Sequence, residues 1–211
     1  MTGLFIVLDG IDGAGRSTQT KKLGEYLEGL GHDVVCTHEP TEESEAGRQI
    51  RQLLQSGEPF EPIEIQKLFV EDRTEHVRQM ETWLSQGKTV LCDRYIYSTI
   101  AFGAGDAGEE YWDELVRLNN VFLRPQLAFI FALPAEQAIE RIESRGGQKE
   151  RFEKQDMLAR TMANFVRIAG ERSIYPETQL LHAVPSEDKV FEHVKHAVDE
   201  LLVTQKEKAR T

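Results

Sequence analysis

Gly10, Asp12, Gly13, Ala14, Gly15, Arg16, Ser17 and Thr18 form the densest chemical signal in the chain. A glycine, four residues, a second glycine, a cation and a hydroxyl residue is the spacing of a phosphate-binding loop, with Arg16 standing where that pattern has lysine. Glycines let successive backbone N–H groups turn inward around phosphate oxygens, and a following helix adds the partial positive charge of its N-terminus. These eight residues are therefore the expected nucleotide cradle, and Ser17 is the expected ligand to a Mg2+ bridging two phosphates. The dinucleotide pattern G-x-G-x-x-G starts at Gly13 and Gly15 but meets Thr18 instead of a third glycine, and is rejected.

Arg16 leaves two outcomes open. Lysine is a compact point charge, whereas arginine is a longer planar fork, so the exchange is not conservative at a tight site. One preorganised electrostatic contact is typically worth ~10²–10³ in rate. The chain is then either an enzyme whose cleft accommodates the fork or a nucleotide-binding protein with impaired turnover.

Asp93 and Arg94 close the run "TVLCDRY". In folds with a phosphate loop, an acid ending such a strand sits beside Mg2+ or its water; otherwise it caps a turn. Arg94 suits an acceptor phosphate, or else a salt bridge to a neighbouring acid.

The elements that must position these groups alternate. Apolar runs at Leu4–Asp9, Asp33–Thr37, Thr89–Asp93, Leu127–Leu133 and Gln179–Val184 predict five strands. Between them, helical spacing predicts a first helix stopped by Gly31, then one ending near Gly57 and a long one from Ile63 to Gln86. Further helices are expected at Tyr95–Phe102, Glu110–Phe122, Ala135–Ser144 and Met157–Arg172, with a final one capped by Ser186. This alternation predicts an α/β fold of the phosphate-loop NTPase type: three layers, α/β/α, around a five-stranded parallel sheet. No repeat or linker divides the 211 residues, so residues 1–211 are expected to form one domain. Asp9, Asp93 and the glycine loop should meet at the carboxyl ends of the strands.

The net charge of −11 argues against a nucleic-acid partner. The two cysteines, Cys36 and Cys92, fall in strand-like runs without metal or disulfide spacing and are expected to be buried thiols. No apolar run approaches the ~18 residues of a membrane span. No leader pattern opens the chain, so a cytoplasmic protein without a membrane partner is the expectation.

In order, "FIVLDGIDGAG", "EPT", "GRQIRQLL", "LFVEDRTEHV", "VLCDRYIYSTIAF" and "ERIESRG" followed by "ERFE" make the chain resemble the thymidylate kinases over nearly its whole length. The resemblance implies transfer of the γ-phosphoryl group of ATP to dTMP with Mg2+, by a homodimer. It implies that Asp12 meets the sugar 3′-hydroxyl, Phe69 stacks on thymine, Arg73 bonds the base edge, and Arg94, assisted by Arg51, holds the acceptor phosphate. Phe102 keeps the aromatic of the family's "AYQG", but the glutamine after it is absent, and His38 stands where many members have arginine. The basic segment at about 141–155 resembles a mobile lid. Arg141 would lie near adenine, and Arg145, Lys149 and Arg151 would close over the phosphates. With Gly13 at the loop position where some members carry arginine, Arg151 is the expected lid catalyst. Without the family, Phe69 would be read as core, and the lid as a solvated charged run. No acid stands three or four places from Arg73 on the side toward its C-terminus or its N-terminus, which favours a functional role for it.

Overall fold

The computed structural model describes residues 3–57, 59–144 and 155–208. The apolar run near the N-terminus forms β1 (Phe5–Gly10), all six residues of which are buried. It lies between β3 (Thr89–Asp93) and β4 (Leu127–Ala132), parallel to both. The edges are β2 (Val34–His38) beside β3 and β5 (Thr178–His182) beside β4, giving the order β2-β3-β1-β4-β5. Runs buried on both faces suit the three central positions, since helices cover both sides of a parallel sheet. The chain leaves β1 for the edge strand β2 on one side, and leaves β3 for β4 on the other side of β1. Such a switch point opens a crevice at the carboxyl ends of the strands. Leu8 pairs in register with Asp93, so the glycine loop and the acid emerge side by side.

The helices are α1 (Arg16–Gly29), α2 (Glu45–Ser56), α3 (Pro62–Ser85), α4 (Ile96–Ala107), α5 (Trp112–Asn119), α6 (Ala135–Ser144), α7 (Gln155–Gly170) and α8 (Glu187–Lys208). Two expectations change. The helix expected at Glu110–Phe122 is a 3-10 turn at Glu109–Tyr111 followed by the shorter α5. The helix expected to stop at Phe102 runs on through Gly103 and Gly105. At Gly105 a Cβ would lie 2.6 Å from Thr161 Oγ1 of α7, so this glycine permits close helix packing rather than breaking the helix. The cysteine reading is also corrected: Cys92 on β3 is buried, but Cys36 is exposed because β2 is an edge strand.

Two buried acids fix the wall that faces the loop. Asp72 of α3 is fully buried and accepts from Thr41 N at 2.9 Å, Thr41 Oγ1 at 2.5 Å and Ser44 Oγ at 2.5 Å. Ser44 in turn caps α2 by accepting from Gly47 N at 2.7 Å. Glu39, just past β2, accepts from Arg73 Nε at 2.9 Å and Nη2 at 2.5 Å. Arg73 also donates to Asn119 of α5 and to Thr99 Oγ1 of α4 at 3.0 Å. Its guanidinium lies over the rings of Tyr95 and Phe122. His76 Nδ1 stands 3.1 Å from the other Glu39 oxygen. One ion pair thus joins the end of β2 to α3, α4 and α5.

Removing one partner of a buried ion pair leaves an uncompensated charge and costs about 3–5 kcal/mol. Arg73→Met should therefore lose about that much stability in urea denaturation. Pairing it with Glu39→Gln should recover a substantial part, because the stranded carboxylate is then gone; a double variant as unstable as the single one would contradict the assignment.

Candidate active site

The strand β1 ends at Gly10, and the chain turns through Gly13 and Gly15 at φ 79° and 91° before α1 begins. Left-handed backbone of this kind favours glycine. Gly15 is the N-cap residue of α1, so no side chain caps the helix, and no acid lies in its first turn. Its first amides and its dipole are left for an external anion. At Gly13 a Cβ would come within 2.6 Å of Ala138 O of α6, which packs against the loop.

Arg16, the departure from the loop pattern, folds back into the cradle and is only 8% exposed. Its Nη2 stands 3.1 Å from Asp12 Oδ1 and its Nη1 3.3 Å from Asp93 Oδ1. Yet Nε and Nη1 of Arg16, and Oδ1 of Asp93, are buried without a hydrogen-bond partner. Buried donors without a hydrogen bond are costly, and these lie beside the glycine loop. Ser17 Oγ donates to Asp93 Oδ2 at 2.5 Å. A hydroxyl and a carboxylate this close, with one carboxylate oxygen accepting no hydrogen bond, fit the hard oxygen donors that Mg2+ takes.

Arg94 follows Asp93 with φ 71°, a strained conformation for a non-glycine residue. It pairs with Asp12, donates to Ser98 Oγ at 3.0 Å, and lies with its guanidinium 4.8 Å from the Phe102 ring centre. Burial disfavours its charge, but Asp12, Asp9 and Asp93 outweigh that and push its pKa up. The reciprocal balance acts on Asp12: burial raises its pKa, and the charges of Arg94 and Arg16 more than reverse this. Asp9 lies nearby but does not line the cleft. It is fully buried and accepts from the backbone N–H groups of Gly10, Tyr95 and Ser98 and from Ser98 Oγ. Burial pushes its pKa up.

A cleft of about 290 Å³ joins the loop to the wall formed by α2, α3 and α4. The structure brings Asp12, Arg16, Ser17, Arg51, Phe69, Asp93, Arg94 and Phe102 together there. His38 also lines it, with Nδ1 3.0 Å from Pro40 O. Arg51 donates to Pro40 O at 2.8 Å. Arg73 does not line the cleft; Thr99, which accepts its hydrogen bond, does. Arg141 bonds Ala183 O at 2.9 Å and approaches Gly13 O at 3.4 Å, against the back of the loop. Arg145, Lys149 and Arg151 lie outside the described residues. Gln66, Ser98 and Thr99 line the cleft without having been read as site residues. The signal for Gln66 was present: a polar residue beside Ile65 on the face of α3 that turns inward.

Against known proteins, a family model described as thymidylate kinase matches residues 8–193. A probable thymidylate kinase of Pyrococcus abyssi is 34% identical over 200 residues, covering 92% of this chain and 95% of the relative. The thymidylate kinase of Desulfotalea psychrophila is 36% identical over 202 residues, covering 95% and 96%. Among solved structures, thymidylate kinase from Candida albicans superposes with a TM-score of 0.78 at 23% identity, over 94% of this chain and 92% of that one, a likeness of fold. With its phosphate loop, its acid-and-arginine strand end and its whole-length relatives, the chain belongs to the thymidylate kinase family.

Proposed function

We propose that the chain phosphorylates dTMP to dTDP at the expense of ATP, with the two nucleotides meeting in the cleft between the glycine loop and α3. The observation that carries this reading is the convergence in one cleft of Arg16, Ser17 and Asp93 with Arg94 and the aromatic Phe69. A nucleotide binder without turnover is not favoured, given kinases as whole-length relatives.

The chemistry asks for position and charge more than for covalent work. The ATP phosphates rest on residues Gly10 to Thr18. Arg16 offers them Nε, which has no hydrogen-bond partner in the protein, and Nη1, which stands 3.3 Å from Asp93 Oδ1 without hydrogen-bonding it. An oxygen of the dTMP phosphate attacks the γ-phosphorus, the bond to the β–γ bridging oxygen breaks, and ADP departs. Arg94, assisted by Arg51, holds the acceptor phosphate. Asp12 accepts from the sugar 3′-hydroxyl, Phe69 and Phe102 bound the base site, and Arg73 acts on that site through Thr99. Ser17 and Asp93 would hold Mg2+, which would supply charge neutralisation for the transferring phosphoryl group. Arg141 borders the adenine side.

Other parts of the reading rest on the sequence. Residues 1–211 act as one kinase domain, with a lid at about 141–155 carrying Arg151 as the basic group that closes on the transferred phosphoryl. A homodimer, as the resemblance implies, and a cytoplasmic location complete it. Among the described residues, no helix is long and apolar enough to cross a membrane.

A steady-state assay with ATP and Mg2+ should give dTDP from dTMP in preference to dCMP, dAMP and dGMP, and EDTA should abolish product. Base–aromatic stacking is worth about 1–3 kcal/mol, so Phe69→Ala should raise KM for dTMP roughly 5- to 150-fold. Equal turnover of a purine acceptor would contradict the acceptor assignment and point to another nucleotide kinase.

A further inference from the structure

Gln66 stands one helical turn before Phe69, and both line the cleft. Its side chain is deeply buried, at 1% exposure, yet its Nε2 has no hydrogen-bond partner. A buried amide N–H group without an acceptor is costly. Here the orphaned donor belongs to a side chain on the wall of a ligand cleft, which gives the missing acceptor a place to come from.

The neighbouring helix makes room for this side chain. A Cβ at Gly103 of α4 would lie 3.0 Å from Gln66 Cγ and 2.7 Å from Leu115 Cδ1. Either contact would force a shift, so glycine at this position keeps the Gln66 side chain where it is. Thr99, one turn earlier on α4, accepts from Arg73 Nη2, which leaves its own hydrogen free to donate. The wall therefore combines the Phe69 ring, an unpaired amide and an oriented hydroxyl.

We propose that Gln66 is a specificity-determining residue whose Nε2 donates a hydrogen bond to a ring carbonyl oxygen of the acceptor's pyrimidine base. The proposal rests on the reading of dTMP as acceptor and deepens it. A carboxamide suits this edge because its N–H group donates to a ring carbonyl while its oxygen can accept the adjacent ring N–H. Through such a bond Gln66 distinguishes a pyrimidine bearing carbonyls from one bearing an amino group at the contacted position.

The test compares dTMP with its 4-thio and 2-thio analogues, in the native protein and in Gln66→Met. Sulfur accepts hydrogen bonds poorly, so the native enzyme should show a raised KM for the analogue altered at the contacted carbonyl. That identifies which carbonyl Gln66 reads. Gln66→Met should raise KM for dTMP about tenfold, in line with ~1.4 kcal/mol, with kcat within about twofold, and should abolish the discrimination between dTMP and that analogue. The melting temperature without nucleotide should not fall, because an apolar side chain of similar volume replaces an unpaired amide. Native protein indifferent to both analogues would overturn the proposal, as would Gln66→Met with an unchanged KM and unchanged analogue ratios. A native chain that makes no dTDP at all would instead overturn the reading on which the proposal rests.

Discussion

Everything at this site depends on how two arginines and two aspartates share charge at the ends of β1 and β3. Arg16 and Arg94 both reach Asp12, and Arg16 also reaches Asp93. The parallel register that sets Leu8 against Asp93 brings these groups together, so the sheet itself builds the cluster. Two guanidinium groups this close repel each other, and the shared carboxylate of Asp12 holds them in place. In the proposed reaction an incoming phosphate supplies a second, stronger reason for both cations to be there. The arrangement is preorganised: the cations wait in position and need no large rearrangement when charge develops.

Behind that cluster lies a second tier of buried acids, each with a scaffolding task. Asp9 binds the start of α4 to the end of β1 through three backbone amides and a hydroxyl. Asp72 gathers Thr41 and the cap of α2, and Glu39 holds Arg73. The tiers meet at α4, whose first turns give Ser98 to Arg94 and Thr99 to Arg73. The parts of the cleft beside Arg94 and in front of Arg73 are therefore positioned by adjacent residues of one helix.

The sequence made the central elements and the loop legible because both are local signals. A continuous apolar run marks a central parallel strand, and glycine spacing marks the cradle. What it hid was set by distance along the chain. Arg73 has no acid three or four places away on its helix, and its partner Glu39 lies 34 residues earlier, where no periodicity reveals it. Gly103 and Gly105 look like helix breakers but lie inside α4, their lack of a Cβ used by Gln66 and Thr161. Cys36 reads as buried from its apolar neighbours, and only the strand order puts it at an exposed edge. Among the residues lining the cleft, Arg16, Ser17, Asp93 and Arg94 were evident from their spacing, whereas Thr99 gains meaning only from the way α4 faces α3 across the cleft.

The central claim is that Arg16 serves phosphate in the role that lysine fills in the usual loop. Its most direct test is the turnover number for dTDP formation by the native chain beside Arg16→Lys, at saturating ATP, dTMP and Mg2+. If the fork is a working part of the cradle, the two should lie within about tenfold, a barrier difference of ~1.4 kcal/mol. A native chain that binds ATP without turnover, while Arg16→Lys is active, would contradict the account and make Arg16 the residue that silences the site.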